Sequence, residues 1–267
     1  MRLIRRPAEY LGKGVIGRAR NTIYAAGFFF KVIKETGNFI KRKKGTRISS
    51  KVLTLQILFT GFEALTIIAI IALGLGAVII IQGISLLPQF GQGELIYDIL
   101  IIVITRELGP ILTAFIVIAR SATAISTELG NMVVSHEIEA FMSVGIDPFS
   151  YLVVPRFLGV SISLILLNIY FNLFGLVGSY FLTLLIKPIK FVEYFNQLLS
   201  RYNPADIFSS LSKCLIFGII ISLSATINGL RVEQSSTEIP QVAIRAVSQS
   251  FKYCIIATAI ITIIYYL

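Results

Sequence analysis

Apolar residues come in five long runs along this chain, separated by short polar segments. Ala64 to Gly93 has no charged residue and holds Ile67-Ile68-Ala69-Ile70-Ile71 and Val78-Ile79-Ile80-Ile81. Phe157 to Ile186 is likewise uncharged, and Lys187-Pro188 ends it. A helix needs roughly 20 apolar residues to cross the hydrocarbon core of a bilayer. The runs predict spans over about 53–81, 95–128, 157–186, 212–230 and 246–267. Gln82, Gly83, Pro88, Gly91 and Gly93 mark a loop after the first. The expected fold is an all-α membrane protein: a basic amphipathic interfacial arm over 1–51, then a membrane domain of about five transmembrane helices over 52–267.

Composition supports lipid as the solvent. Charged residues are 14% of the 267, hydrophobic residues 55%, and mean hydropathy is +0.83; a soluble domain has about a quarter charged residues. The basic excess is confined to the arm. Residues 1–51 carry 14 Lys/Arg against Glu9 and Glu35, and the remaining 216 carry 10 against 12 acids. A basic arm can bind nucleic acid. Here the charges alternate with Tyr24, Phe28, Phe29, Phe30, Val32, Ile33, Phe39 and Ile40, which suits an anionic leaflet instead. No clean apolar stretch follows Arg5-Arg6, so the arm reads as retained, not as a cleaved signal. The positive-inside rule then puts the N-terminus in the cytoplasm and the loops at 129–155 and 229–250 on the same side. Lys187, Lys190, Arg201 and Lys213, in the expected outer loop 187–213, run against that topology. Cys214 and Cys254 lie far apart in apolar runs and read as buried small hydrophobes.

Small residues recur every four positions: Ala72 and Gly76; Ala122, Ser126 and Gly130; Gly218, Ser222 and Thr226. Such rows let helices pack backbone to backbone in lipid. The second run also carries Arg106 and Glu107, each costing roughly 2.5–3.5 kcal/mol to insert at mid-bilayer. Gly109-Pro110 follows. Pro110 has no N–H, and its ring crowds the carbonyl four residues back, that of Arg106. The helix is therefore loosened where the charges sit, and needs a cavity or a packed partner. Two readings fit: a functional pair beside a substrate path, or an ion pair that only ties the bundle together. Thr113, Arg120 and Thr127 recur every seven residues and share one helical face, a polar stripe that either lines the path or packs against neighbours.

Between the second and third spans, Ile138, Phe141, Met142 and Gly145 fall at i, i+3, i+4 and i+7, with Glu137 and Glu139 off that face. This spacing predicts a short amphipathic cytoplasmic helix with Gly145 as C-cap and Asp147-Pro148 as the turn onward. A helix of this kind suits a soluble partner; its acidic face disfavours an anionic leaflet. His136, the sole histidine, reads as a surface side chain. No phosphate-binding loop, nucleophile elbow or zinc-protease motif occurs, so any ATPase is another chain.

Arg106-Glu107-Leu108-Gly109-Pro110, Ala119-Arg120, Glu128-Leu129-Gly130 with Met132, Gly145 with Asp147-Pro148, and Tyr151-Leu152-Val153-Val154-Pro155-Arg156 together resemble the MlaE-type (YrbE) permeases. Gln82, Phe90-Gly91 and Asn228-Gly229 also sit where that family would have them, and the likeness covers roughly residues 55–255. The resemblance implies a homodimeric membrane subunit of an ABC transporter that moves phospholipid or related lipid between membranes. It implies ATP and Mg bound by a separate ATPase, an MCE-domain lipid-binding protein on the far side, and no cofactor in this chain. It implies a bacterial inner membrane or plastid envelope location. Carried over, Arg106 and Glu107 would line or gate the lipid path, and with Gly109, Pro110, Thr113 and Arg120 they make up the expected substrate path. Glu137, Ile138, Glu139, Phe141, Gly145, Asp147 and Pro148 form the ATPase-coupling segment.

The chain departs from the family at Ser135-His136-Glu137-Ile138-Glu139-Ala140-Phe141, at Glu233 to Glu238 in place of a glycine-rich stretch, and at Ile255-Ile256-Ala257, where an acid is usual. A permease for a small polar solute and a non-transporting scaffold are the rival readings.

Overall fold

A computed structural model of the chain describes residues 26–39, 47–91, 95–186, 190–232 and 235–267. Most of the predicted arm, the Lys187-Pro188 stop and Glu233-Gln234 lie outside these residues. No strand occurs among the described residues, and five helical segments are long and apolar enough to cross a membrane: Lys51–Phe90, Leu95–Val134, Phe149–Phe181, Pro204–Gly229 and Ser236–Tyr266, here spans 1 to 5. The protein is an all-α membrane protein. Each span reaches beyond its apolar run at one end or both. In span 1 the α-helix passes through Gln82 and Gly83 to Leu86; it stops two residues before Pro88, and Gly91 closes the turn at φ +69°. Span 4 starts at Pro204, where Asn203 accepts a hydrogen bond from the Ala205 N–H at 3.0 Å. Span 5 starts after Ser235, whose hydroxyl accepts from the Thr237 N–H.

Span 3 is the central helix, packed on spans 1 and 4, and span 4 packs in turn on spans 2 and 5. In its most apolar stretch 67% of span 3 is buried, against 11% of span 5, which leaves most of span 5 facing outward. Members of the small-residue rows lie at close helix crossings. A Cβ on Gly76 would stand 2.7 Å from the Gly175 carbonyl oxygen of span 3. One on Gly218 would stand 2.6 Å from Ser161 Cα, and one on Gly229 2.9 Å from the Ser126 carbonyl oxygen. Close backbone approach replaces the hydrophobic driving force that helices lack in lipid.

Residues 26–39 are helical and sit on the side of the bundle shared by the span 2–3 connection. Phe28 and Val32 are buried against Val153, Phe157 and Ile227, and Lys31 Nζ lies 4.3 Å from the Phe149 ring centre. The same connection holds a helix over Glu137–Ser143 that ends in a complete Schellman motif. The Gly145 N–H donates to the Met142 carbonyl at 3.1 Å, the Ile146 N–H to that of Phe141 at 2.9 Å, and Gly145 is at φ +78°. A helix between spans 3 and 4, Phe191–Arg201, packs near the start of span 2 and buries Tyr194 and Leu198.

Candidate functional site

The charges of span 2 occupy a non-α stretch. Ile101–Leu108 is π-helical, with the Gly109 N–H bonded to the Ile104 carbonyl five residues back, and a second π turn covers Ile118–Ala122. Pro110 cannot donate to the Arg106 carbonyl. That carbonyl instead accepts from Lys213 Nζ of span 4 at 2.9 Å. The same ammonium donates to Glu107 Oε2 at 2.8 Å and is fully buried. Thr262 of span 5 donates to the same carboxylate at 3.3 Å.

Arg106 completes the cluster. Its Nε is 3.5 Å from Glu107 Oε1 and its Nη1 3.5 Å from Asp206 Oδ1. Its guanidinium lies 5.0 and 4.9 Å from the ring centres of Tyr265 and Tyr266 and donates to the Tyr266 hydroxyl. Tyr265 donates to Asp206 Oδ1 at 2.9 Å. Spans 2, 4 and 5 are thus joined by a network of ion pairs and hydrogen bonds that involves the beginning of span 4 and the end of span 5. Beside it lies a cavity of about 330 Å³, with Glu107 the one charged residue in its wall. Ile111, Ala114, Phe115, Phe217, Cys254, Ile255 and Ala259 supply apolar surface, and Thr258 and Thr262 two hydroxyls.

The six residues expected along a substrate path therefore separate. Glu107 lines the cavity and Arg106 stands behind it. Gly109 has no room for a side chain, since a Cβ would lie 2.3 Å from the Ile104 carbonyl oxygen. Pro110 shapes the backbone, and Thr113 is buried with its hydroxyl bonded to the Gly109 and Pro110 carbonyls. Arg120 is elsewhere, paired with Glu63 of span 1 at 2.6 Å. The expected Thr113–Arg120–Thr127 stripe fails because the π turn at Ile118–Ala122 inserts a residue, rotating the downstream face by about 100°. Asp206, Lys213, Tyr265 and Tyr266 were not expected in the site. Lys213 falls where the expected loop 187–213 meets the expected span 212–230, and the structure puts it well inside span 4. Asn203-Pro204, a capping residue followed by proline, is the sequence signal that starts this helix early enough to include it.

The segment expected to meet an ATPase, over 137–148, is a separate feature at the other end of span 2. Ile138 and Phe141 are half-buried, with the Phe141 ring 5.3 Å from that of Tyr151. Met142 points outward, 56% exposed, as do Glu137, Glu139, Gly145 and Asp147, so only part of the predicted apolar face packs inward. Arg156, buried, ties the base of the loop to Glu128 at 2.9 Å. Asp147 accepts from the Phe149 and Ser150 N–H groups at 3.2 and 3.1 Å, opening span 3 just after Pro148.

Desolvation pushes the Asp147 carboxyl upward, but the Ser150 and Phe149 hydrogen bonds and the charge of Lys31 outweigh it, leaving it below the ordinary 3.8. A depressed folded value adds stability above the ordinary carboxylate range that is lost as pH falls through the folded value. Asp147→Ala should thus lower thermal stability by about 1 kcal/mol at neutral pH, the usual worth of a helix-opening carboxylate. A melting series in detergent should show the gap between variant and parent closing as pH drops below 4.

The sequence profile described as Permease MlaE matches residues 53–264, nearly the whole membrane domain. The chain belongs to the MlaE permease family. It is similar to a probable ABC transporter permease protein of Rickettsia prowazekii, 28% identical over 211 residues, 79% of this chain and 82% of that one. The intermembrane phospholipid transport system permease protein MlaE of Haemophilus influenzae is 26% identical over 70% of this chain and 72% of its own length. The chloroplastic protein trigalactosyldiacylglycerol 1 of Arabidopsis thaliana is 28% identical over 61% of this chain and 47% of its own. Membership in the MlaE family makes the chain a membrane permease.

Proposed function

We propose that this chain is the membrane subunit of an ABC transporter that moves phospholipid or a related lipid between membranes. The observation that carries this reading is the cavity at Glu107. Its wall is almost wholly apolar, and it lies along span 5 where Ile255 and Ala259 are exposed on the surface of the bundle. Such a wall suits acyl chains, with the polar network at one end for a head group. A small polar solute would need more convergent polar groups than Glu107, Thr258 and Thr262. The Haemophilus relative, named for intermembrane phospholipid transport, points the same way.

In this reading a separate ATPase binds ATP and Mg and docks on Glu137, Ile138, Glu139, Phe141, Gly145, Asp147 and Pro148. Arg156–Glu128 and Phe141–Tyr151 transmit its movement to spans 2 and 3. The chain works as a homodimer with an MCE-domain lipid-binding protein on the far side, in a bacterial inner membrane or plastid inner envelope. Its basic arm is cytoplasmic or stromal. Native mass spectrometry of the chain purified in mild detergent tests this. A dimer carrying phospholipid and an ATPase is the expected result. A dimer with ATPase and no lipid would move the reading to a small-solute permease, and absence of any ATPase to a scaffold.

A further inference from the structure

The network beside the cavity holds two cations, Arg106 and Lys213, and two anions, Glu107 and Asp206. Each has an opposite charge within 3.5 Å, so the ionised cluster sums to zero. The side chains of Arg106, Asp206 and Lys213 are 8%, 9% and 0% exposed. Glu107, 25% exposed, is the member that reaches the cavity wall. The nearby pair Asp98–Arg201, at 2.5 Å, is also neutral as a unit and adds no net field. Lys213 and Glu107 cancel each other at 2.8 Å, so the balance of the site turns on Arg106 and Asp206. Asp206 is held in place by Arg106 and by the Tyr265 hydroxyl.

We propose that Asp206 is a specificity-determining residue for head-group charge. By cancelling Arg106 it keeps the polar end of the cavity neutral, so zwitterionic and anionic lipids are accepted on similar terms. The inference rests on the lipid-transport reading. Asp206 acts through Arg106 and meets no ligand in the cavity itself. In a partly desolvated site, one uncancelled unit charge about 10 Å from a phosphate, at an effective dielectric constant of about 20, shifts relative binding roughly tenfold.

The test is native mass spectrometry of the full chain with its co-purifying partners, after exchange against equimolar phosphatidylglycerol and phosphatidylcholine. The parent should retain both in similar amounts. Asp206→Asn should shift the ratio roughly tenfold toward the anionic lipid, and Arg106→Gln should shift it the other way. The double variant Arg106→Gln/Asp206→Asn restores neutrality and should return the parental ratio, which a merely structural role for Asp206 would not do. If Asp206→Asn fails to fold, the ratios of Arg106→Gln and of the double variant decide alone. Lipid retained at an unchanged ratio in the charge-altered variants, or a double variant that keeps a shifted ratio, overturns the assignment and leaves the lipid reading intact. No lipid bound by the parent or any variant overturns the lipid reading itself.

Discussion

Glu107→Ala is expected to destabilise the protein by about 3–5 kcal/mol, the cost of removing one partner from a buried ion pair. The reason is Lys213. Its ammonium is fully buried inside span 4 and donates to the Glu107 carboxylate and the Arg106 carbonyl. Without Glu107 the charge must be carried on one carbonyl or given up by deprotonation, both costly away from water. Replacing both partners with similar apolar volume is often neutral or stabilising. The double variant Glu107→Met/Lys213→Met should therefore recover most of the stability lost by Glu107→Ala. Thermal unfolding in detergent checks this. Equal losses in single and double variants would mean that the pair is not a coupled unit. The double variant also separates the proposed functions, because it keeps a folded bundle while removing the one charge in the cavity wall. A lipid transporter should lose transport; a scaffold should keep its assembly and lose nothing.

The second large effect is expected at the helix crossings. A Cβ on Gly218 would meet Ser161 Cα at 2.6 Å, and one on Gly76 the Gly175 carbonyl oxygen at 2.7 Å. Both obstacles are backbone and cannot rotate away. Gly218→Ala and Gly76→Ala should each cost about 1–3 kcal/mol through overpacking, and larger residues more. Gly74, two residues from Gly76, has nothing within 4 Å of its Cβ position. Gly74→Ala should be neutral or stabilise by up to about 1 kcal/mol through helix propensity. Melting temperatures of the three variants should rank Gly74→Ala above the parent or level with it and the other two well below. Three similar values would contradict close packing at these crossings.

The spans were legible because long uncharged runs have no other stable setting, and the loosened helix at Arg106 was legible because Pro110 removes a donor at a known position. What the sequence hid is cross-chain chemistry. Lys213 reads as a loop lysine until Glu107, more than a hundred residues away, is seen to neutralise it. Asp206 and Tyr265 are likewise unremarkable until they meet at 2.9 Å. Glu63 as the partner of Arg120 had no local signal at all. The Thr113–Arg120–Thr127 stripe assumed a regular period, and an i→i+5 turn invisible to residue spacing broke it. The short helix at Glu137–Ser143 and its Gly145 cap were readable because both depend on neighbours within one turn.

The most direct test of the account is to fill the cavity and count the lipid. Ala259 lines the cavity from the exposed side of span 5, so Ala259→Trp adds bulk there without crowding the bundle core. Bound phospholipid per chain, measured by native mass spectrometry on parent and variant of equal thermal stability, gives the answer. Phospholipid should be present on the parent and lost from Ala259→Trp; a variant that keeps the parent's full complement of lipid would mean that this cavity is not where lipid binds.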